Sequence, residues 1–453
     1  MLDEAGWSAA ELARAVNALG RRQGMALRYD RTSVAHWLVG SRPRKAVPGL
    51  VAQALSRRIG RLVALEETGL AAGLPPLAPL GMAGKADLDP RNRLAELCRA
   101  ESDPARRAAL RRTVYGAHPV RLPSWPDDRP PPPPGGEGGR SQAEVSILQS
   151  MGLIFASLID SSGGGHARTA LAAYLADDAV PLLLAPADAR WHTQHLLGCS
   201  QLTHLLANMT DDAGHHGLAQ VYYRLALELA HQAGHRAAYA TTLRALSTQA
   251  LRLGFLQYSA DLACAAVEGT GPAAANTRAF VLAQRALVHA HTGHRSQAQA
   301  DLKAAEQEHG RAPSSAGIFA SYPRAGLDYQ RGETFYALGD GTAALGAFHD
   351  AERHRPPAQR RPYALAQARL AEVLAHSGHL EEACAHWHVF LDHYPHLASV
   401  HVERAAHTLH RTVRSFPRQS QARIVSDRAR ELSAAGLRSR LRRAEQREAS
   451  VPE

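Results

Sequence analysis

The sequence predicts an all-α protein: a small basic helical unit joined to a long array of helix pairs, an α-solenoid. Three observations predict it. Alanine and leucine dominate a 453-residue chain that is 45% apolar but only 6% aromatic, and few β-branched runs interrupt it, which favours helices. Glycines recur at a nearly fixed interval in the second half, each ahead of the same apolar pattern. Between the two parts, WPDDRPPPPPGGEGGR (125–140) holds five consecutive prolines and a glycine cluster, which suits a spacer and no packed helix or sheet. The divisions expected are a basic helical unit at 1–70, a connecting segment at 71–143, the repeat array at 144–436 and a basic tail at 437–453.

The first helix begins in GWSAAELARAVNALG (6–20). Ser8 followed three residues later by Glu11 is a capping-box pattern. Trp7, Leu12, Ala13 and Val16 fall on one stripe. After RRQGMALRYD comes RTSVAHWLVGSRPRK (31–45), a short apolar run ringed by basic side chains. The spacing of Val34, Trp37 and Leu38 predicts an inner helical face. Arg31, Thr32, Ser33 and His36 are left outside. Gly40 ends the helix and Pro43 prevents its resumption. VPGLVAQALSRRIG (47–60) gives a closing amphipathic helix.

The array follows from GHHGLAQVYYRLA (214–226), GHRSQAQADLKAA (293–305), GDGTAALGAFHDA (339–351) and GHLEEACAHWHVF (378–390). Each opens with Gly, which lets the chain turn between two helices. Ala219, Ala298, Ala344 and Ala383 follow at +5, small enough for close helix approach. Tyr223, Leu302, Phe348 and Trp387 follow at +9 to fill the gap beside the next pair. Ala226, Ala305, Ala351 and Phe390 stand at +12. Residues 254–266 fit more weakly through Gly254, Ser259, Ala263 and Ala266. The intervals between successive glycines are 40, 39, 46 and 39, and RAPSSAGIFASYP (311–323) supplies the excess in the longest.

The net charge of +10 is uneven. Residues 1–62 carry eleven Lys/Arg against four Asp/Glu, and residues 400–453 carry twelve against six, which leaves the middle near balance. Basic ends on a balanced body suit a polyanion binder; an arginine-rich solvated surface gives the same count. Only three of the 52 basic residues are lysine, consistent with a GC-rich genome. Cys98, Cys199, Cys264 and Cys384 are far apart and form no CxxC pair, which argues against a disulfide framework or zinc ribbon. No secretory leader is expected, since Asp3 and Glu4 stand where a basic region would precede it. VSILQSMGLIFASLID (145–160), the most apolar window, reads as too short to cross a bilayer. These features predict a reduced, cytoplasmic protein without membrane association.

The helix that starts at Arg31 presents a small, polar, basic front on an apolar back, a shape that enters a major groove. Arg31, Thr32, Ser33 and His36 are the expected DNA-contact residues, with Arg42, Arg44 and Lys45 just beyond, where a phosphate backbone passes. The plain alternative is a helical hairpin with an exposed basic surface.

SVAHWLVGSRP resembles the third helix of the XRE-type (lambda-repressor-like) helix-turn-helix, in which an apolar residue, a Trp three later, a Gly three after that and a nearby Pro recur. Two features depart from it: Leu38 replaces the acidic residue that often follows the Trp, and the segment between the second and third helices is long. GWSAAELARAVNALGRRQG, RTSVAHWLVGSRPR and IGRLVALEETGL together resemble actinomycete regulators of the NsdA type, negative regulators of differentiation and antibiotic production. GGGHARTALAAYLADDAVPLL (163–183) is similar to the start of the helical region in such proteins. The Gly, Ala, aromatic, Ala order of the array resembles the second helix of the tetratricopeptide repeat (TPR), whose usual period is ~34 residues. The resemblance implies transcriptional regulation by a DNA-binding unit. The array is expected to supply self-association and a groove for a peptide, protein or small ligand. The second reading is a TPR-type adaptor with a vestigial helix-turn-helix.

Other chemistries find little support. His192, His195 and Cys199 could share a helical face as metal ligands, yet the same spacing is a simple stripe in a repeat, and no metal or other cofactor is expected. Glycine-rich phosphate loops, GxSxG, HExxH and paired-carboxylate motifs at a strand end are missing from the sequence, so no enzymatic activity is expected. Arg438, Arg440, Arg442 and Arg443 suit a solvated last helix better than a nucleic-acid contact.

Overall fold

The computed structural model describes residues 2–22, 25–41, 43–44, 47–59, 68, 70, 89–117, 123, 125, 139–271, 273–312 and 322–449. For 3, 22, 56, 104–105, 139–140 and 435–449 it describes the backbone alone. The described residues are helical throughout, with no strand among them. Two compact units divide the chain, residues 1–156 with 164–322, and residues 157–163 with 323–453.

The first unit opens with α1 (Leu2–Ala5), α2 (Ala9–Arg22), α3 (Arg31–Leu38) and α4 (Val47–Ile59). The predicted capping box starts α2: Ser8 N donates to Glu11 Oε2 at 2.8 Å, and Glu11 N donates to Ser8 Oγ at 3.3 Å. Leu12, Ala13, Val16 and Leu19 of α2, Val34 and Trp37 of α3, and Val47, Leu50, Val51, Ala54 and Leu55 of α4 share one core. Burial of each large member contributes about 1.5–3 kcal/mol. Trp7 packs on this core while partly buried. Leu38 departs from expectation, being 66% exposed. Helix α3 ends at Leu38, and the backbone leaves helical geometry at Val39 (φ −96°, ψ 13°). The indole of Trp37 closes the core one residue earlier, and no further turn carries Leu38 over it.

Residues 90–117, inside the segment read as connecting, contain α5 (Pro90–Ser102) and α6 (Pro104–Leu110). Leu94, Ala95, Leu97, Cys98 and Ala100 of α5 are buried. Helix α5 packs against α8 (Gly164–Tyr174) and α11 (His216–Gln232). A fully buried ion pair fixes one of these contacts, Arg168 Nη2 lying 2.7 Å from Glu101 Oε2. Further on, Gln220 Nε2 donates to Gly116 O at 2.6 Å and Gly116 N donates to Gln220 Oε1 at 3.1 Å. The extended segment therefore lies along α11. The proline run itself lies outside the described residues.

Helix α7 (Gly139–Ser162) is longer than the window predicted from sequence. Its stretch Ser141–Ser162 has 22 residues at mean hydropathy 1.3, long and apolar enough to cross a membrane by length and composition. The extra turns come from residues 139–144 and 161–162, mostly polar and including the charged Arg140 and Glu144, which continue a helix without adding hydrophobicity. Leu148, Phe155 and Ile159 form a buried stripe, whereas Ile147, Leu153 and Ile154 are about half exposed. A π-helical turn (Leu175–Ala179) and α9 (Val180–Leu184) follow α8.

Helix pairs come next: α10 (Ala189–Asp212) with α11, α12 (Arg236–Leu253) with α13 (Leu256–Thr270), and α14 (Ala275–His291) with α15 (Arg295–Arg311). The second unit continues with α16 (Arg324–Ala337) against α17 (Gly341–His354) and α18 (Arg360–His376) against α19 (Leu380–His393). The five predicted turn glycines, Gly214, Gly254, Gly293, Gly339 and Gly378, all stand inside these pairs at φ between +81° and +89°, a region that other residues enter at a cost. The +5 and +12 positions are fully buried, including the weaker Ser259 and Ala266, and Tyr223, Leu302, Phe348 and Trp387 at +9 are buried as well. Close approach is literal at Gly332 of α16, where a Cβ would come within 2.7 Å of the Phe348 ring. Most of the 311–323 excess lies outside the described residues. In the second unit α20 (Val400–Val413) packs on α18, and α21 (Ser420–Ala449) packs on α19 and α20. The backbone at Arg438, Arg440, Arg442 and Arg443 is helical.

Candidate nucleic-acid interface

Two devices aim α3. At its start, Asp30 and Ser33 form a capping box that sequence reading missed: Ser33 N and Ser33 Oγ donate to Asp30 Oδ1 at 2.8 and 2.7 Å, and Asp30 N donates to Ser33 Oγ at 3.4 Å. These bonds hold the Asp30 carboxyl below its ordinary range. Behind it, Asn17 of α2 brackets the backbone of Tyr29. Its Nδ2 donates to Tyr29 O at 2.7 Å, and Tyr29 N donates to its Oδ1 at 2.9 Å. Tyr29 then meets Trp37 edge to face, with centroids 4.9 Å apart at 69°. The long segment before α3 is thus pinned to α2 by a side-chain amide. The sequence signal was Asn at the polar edge of an apolar stripe, which only the fold distinguishes from a solvated residue.

The expected contact residues divide by geometry. Arg31, Thr32 and His36 are exposed on the outward face of α3, and Arg44 is exposed beyond it. Ser33 is only half exposed, with its hydroxyl committed to Asp30. Arg42 and Lys45 lie outside the described residues. Leu38 and Val39, 66% and 81% exposed, extend the same surface with apolar groups. Because the Asp30 carboxylate stands at the start of α3 and accepts from Ser33 N, the helix terminus offers little to a phosphate. Affinity for an anion on this face has to come from side chains.

The other grouping weighed from sequence does not assemble. Cys199 Sγ donates to Ala179 O at 3.5 Å, while His195 Nε2 lies 3.6 Å from Glu144 Oε2. His192 is half exposed beside Asp89 and Arg91, and burial lowers its pKa. Burial pushes the Cys199 thiol up to about 12, which keeps it protonated and poor as a ligand or nucleophile.

Among curated proteins, none matches the chain. The family model of the SP15 N-terminal domain matches residues 1–71, the stretch that holds α1 to α4 and the core around Trp37.

Proposed function

We propose that this chain is a DNA-binding transcriptional regulator. The observation that carries the reading is the division of α3, with Val34 and Trp37 buried while Arg31, Thr32 and His36 face outward. An eight-residue helix is about 12 Å long, comparable to the ~12 Å width of the major groove. Arg31 and Thr32 donate to base edges or phosphates, and His36 adds a third polar contact. Leu38 and Val39 offer apolar contact to thymine methyl groups. Arg44 follows the backbone, together with Arg42 and Lys45.

One such unit binds DNA only non-specifically, at roughly 10⁻⁴ to 10⁻⁶ M near physiological salt. Specific binding requires two units on half-sites about 34–36 Å apart. We assign self-association to the repeat part, where Ile147, Leu153 and Ile154 of α7 stand half exposed. A peptide, protein or small ligand held by the helix pairs then shifts operator affinity through its preference for one arrangement of the two units. The resemblance to NsdA-type proteins supports a role in differentiation or secondary metabolism, carried out in the cytoplasm on the nucleoid.

A protein-interaction adaptor is the second reading, favoured by the exposed apolar pair Leu38 and Val39. Genome-wide DNA capture with the full chain separates the two. The regulator reading expects discrete enriched sites that contain paired half-sites, and the adaptor reading expects none.

A further inference from the structure

In the second unit, α17 and α19 each place a histidine and a carboxylate on facing surfaces: His349 and Glu352 on one, Glu382 and His386 on the other. Ligand atoms of His349, Glu352 and His386 all lie within 4.8 Å of one another. His349 Nδ1 is 3.8 Å from Glu352 Oε2, and His386 Nδ1 is 3.9 Å from Glu352 Oε1.

The buried amide of Gln367, on α18, ties the set together. Its Nε2 donates to Glu352 Oε1 at 2.7 Å, and its Oε1 lies 2.6 Å from His386 Nδ1. That contact makes His386 Nδ1 the protonated nitrogen, which leaves the ring lone pair on Nε2. On the other imidazole, His349 Nε2 faces Glu382 Oε1 at 3.7 Å. A metal-bound histidine commonly gives its second nitrogen to an outer carboxylate or carbonyl in this manner.

We propose that His349, Glu352 and His386 bind a zinc ion between the second helices of two consecutive pairs, with Gln367 and Glu382 as outer partners. Two imidazoles and one carboxylate are a zinc donor set that leaves a fourth position to water. Bonds of about 2.0–2.1 Å draw the three ligand atoms to roughly 3.3 Å from one another. That contraction is small for His349 Nδ1 and Glu352 Oε2, which stand 3.8 Å apart, and the His386 side chain, 15% exposed, brings its Nε2 in as the third ligand atom. The ion then clamps α17 to α19 and stiffens that step of the array. The signal is visible in sequence as HxxE at 349–352 and ExxxH at 382–386. It is divided between two repeats, and only their stacking brings it together.

Isothermal titration of ZnCl₂ into the chelator-stripped full chain tests the site, alongside His349→Ala and His386→Ala. The expected result is one tight equivalent in the wild type, with a melting temperature that rises on zinc addition. Each variant should weaken binding by more than the about 10–100-fold that loss of an outer partner costs. Should His386→Ala fail to fold, His349→Ala carries the comparison, since its side chain is 41% exposed. Absence of saturable uptake by the wild type overturns the proposal. Equal affinity in wild type and His349→Ala places the ion elsewhere and overturns it too.

Discussion

The guanidinium of Arg57, near the end of α4, lies 4.5 Å above the centre of the Phe255 ring in the turn between α12 and α13. Tyr115 packs on the same ring, with centroids 5.1 Å apart at 45°. The basic helical unit and the first helix pairs therefore touch through a cation and two aromatic rings, as well as through the chain that joins them. A double-mutant cycle with Arg57→Ala and Phe255→Ala, read by thermal unfolding of the full chain, should give a coupling of about 0.5–2 kcal/mol. Additive effects would show that the contact carries no energy.

Gly217 of α11 sits against the backbone of the preceding extended segment. A Cβ there would come within 2.0 Å of Thr113 O, and backbone cannot move aside as a flexible side chain does. Gly217→Ala is expected to destabilise by about 3 kcal/mol or more, beyond the usual cost of overpacking. Hydrogen exchange should place the lost protection at residues 113–116 and α11. Wild-type stability in this variant would contradict the docking of that segment.

The Glu101–Arg168 pair is buried on both sides. Arg168→Met alone leaves an uncompensated buried carboxylate and should cost about 3–5 kcal/mol, while Glu101→Leu with Arg168→Met should recover most of it. Chemical denaturation of the three proteins checks the order. A single variant no less stable than the double would refute the pairing.

His204 is buried against Thr242 Oγ1 at 2.9 Å, and its pKa is pushed down to about 3 by burial, with a smaller effect from Arg244. Its folded pKa lies below the unfolded value near 6.5. The unfolded chain therefore takes up the proton first as pH falls, and the native state loses stability between about pH 6.5 and pH 3. At pH 5 the loss from this residue is about 2 kcal/mol. His204→Gln should flatten that part of the stability–pH curve, and an unchanged slope would remove His204 as the cause.

Local patterns made much of this fold legible. The turn glycines with their +5, +9 and +12 residues marked five helix pairs, including the weak one at Gly254, because close helix packing constrains residue size at fixed offsets. Ser8 with Glu11 marked the start of α2, and Val34 with Trp37 marked the inner face of α3. Illegible features depended on distant partners. Glu101 sits within the apolar stripe of α5 and reads as a break in it until Arg168 arrives from α8. Leu38 continued the helical spacing, but the helix stopped beneath it. Ser33 looked like a free donor because its partner Asp30 precedes the apolar run. Gly234, at φ +67°, closes the turn between α11 and α12, although the repeated +5, +9 and +12 pattern does not follow it.

The central claim rests on three side chains of α3, and fluorescence anisotropy with a genomic duplex enriched by the full chain tests it most directly. Arg31→Ala, Thr32→Ala and His36→Ala combined leave Val34, Trp37 and the Asp30–Ser33 cap intact, so the helix itself should persist. The triple variant should bind at the level of unrelated duplex, a loss of roughly 10³-fold or more, with an unchanged melting temperature. Binding of the triple variant as tight and as sequence-selective as the wild type would contradict the account.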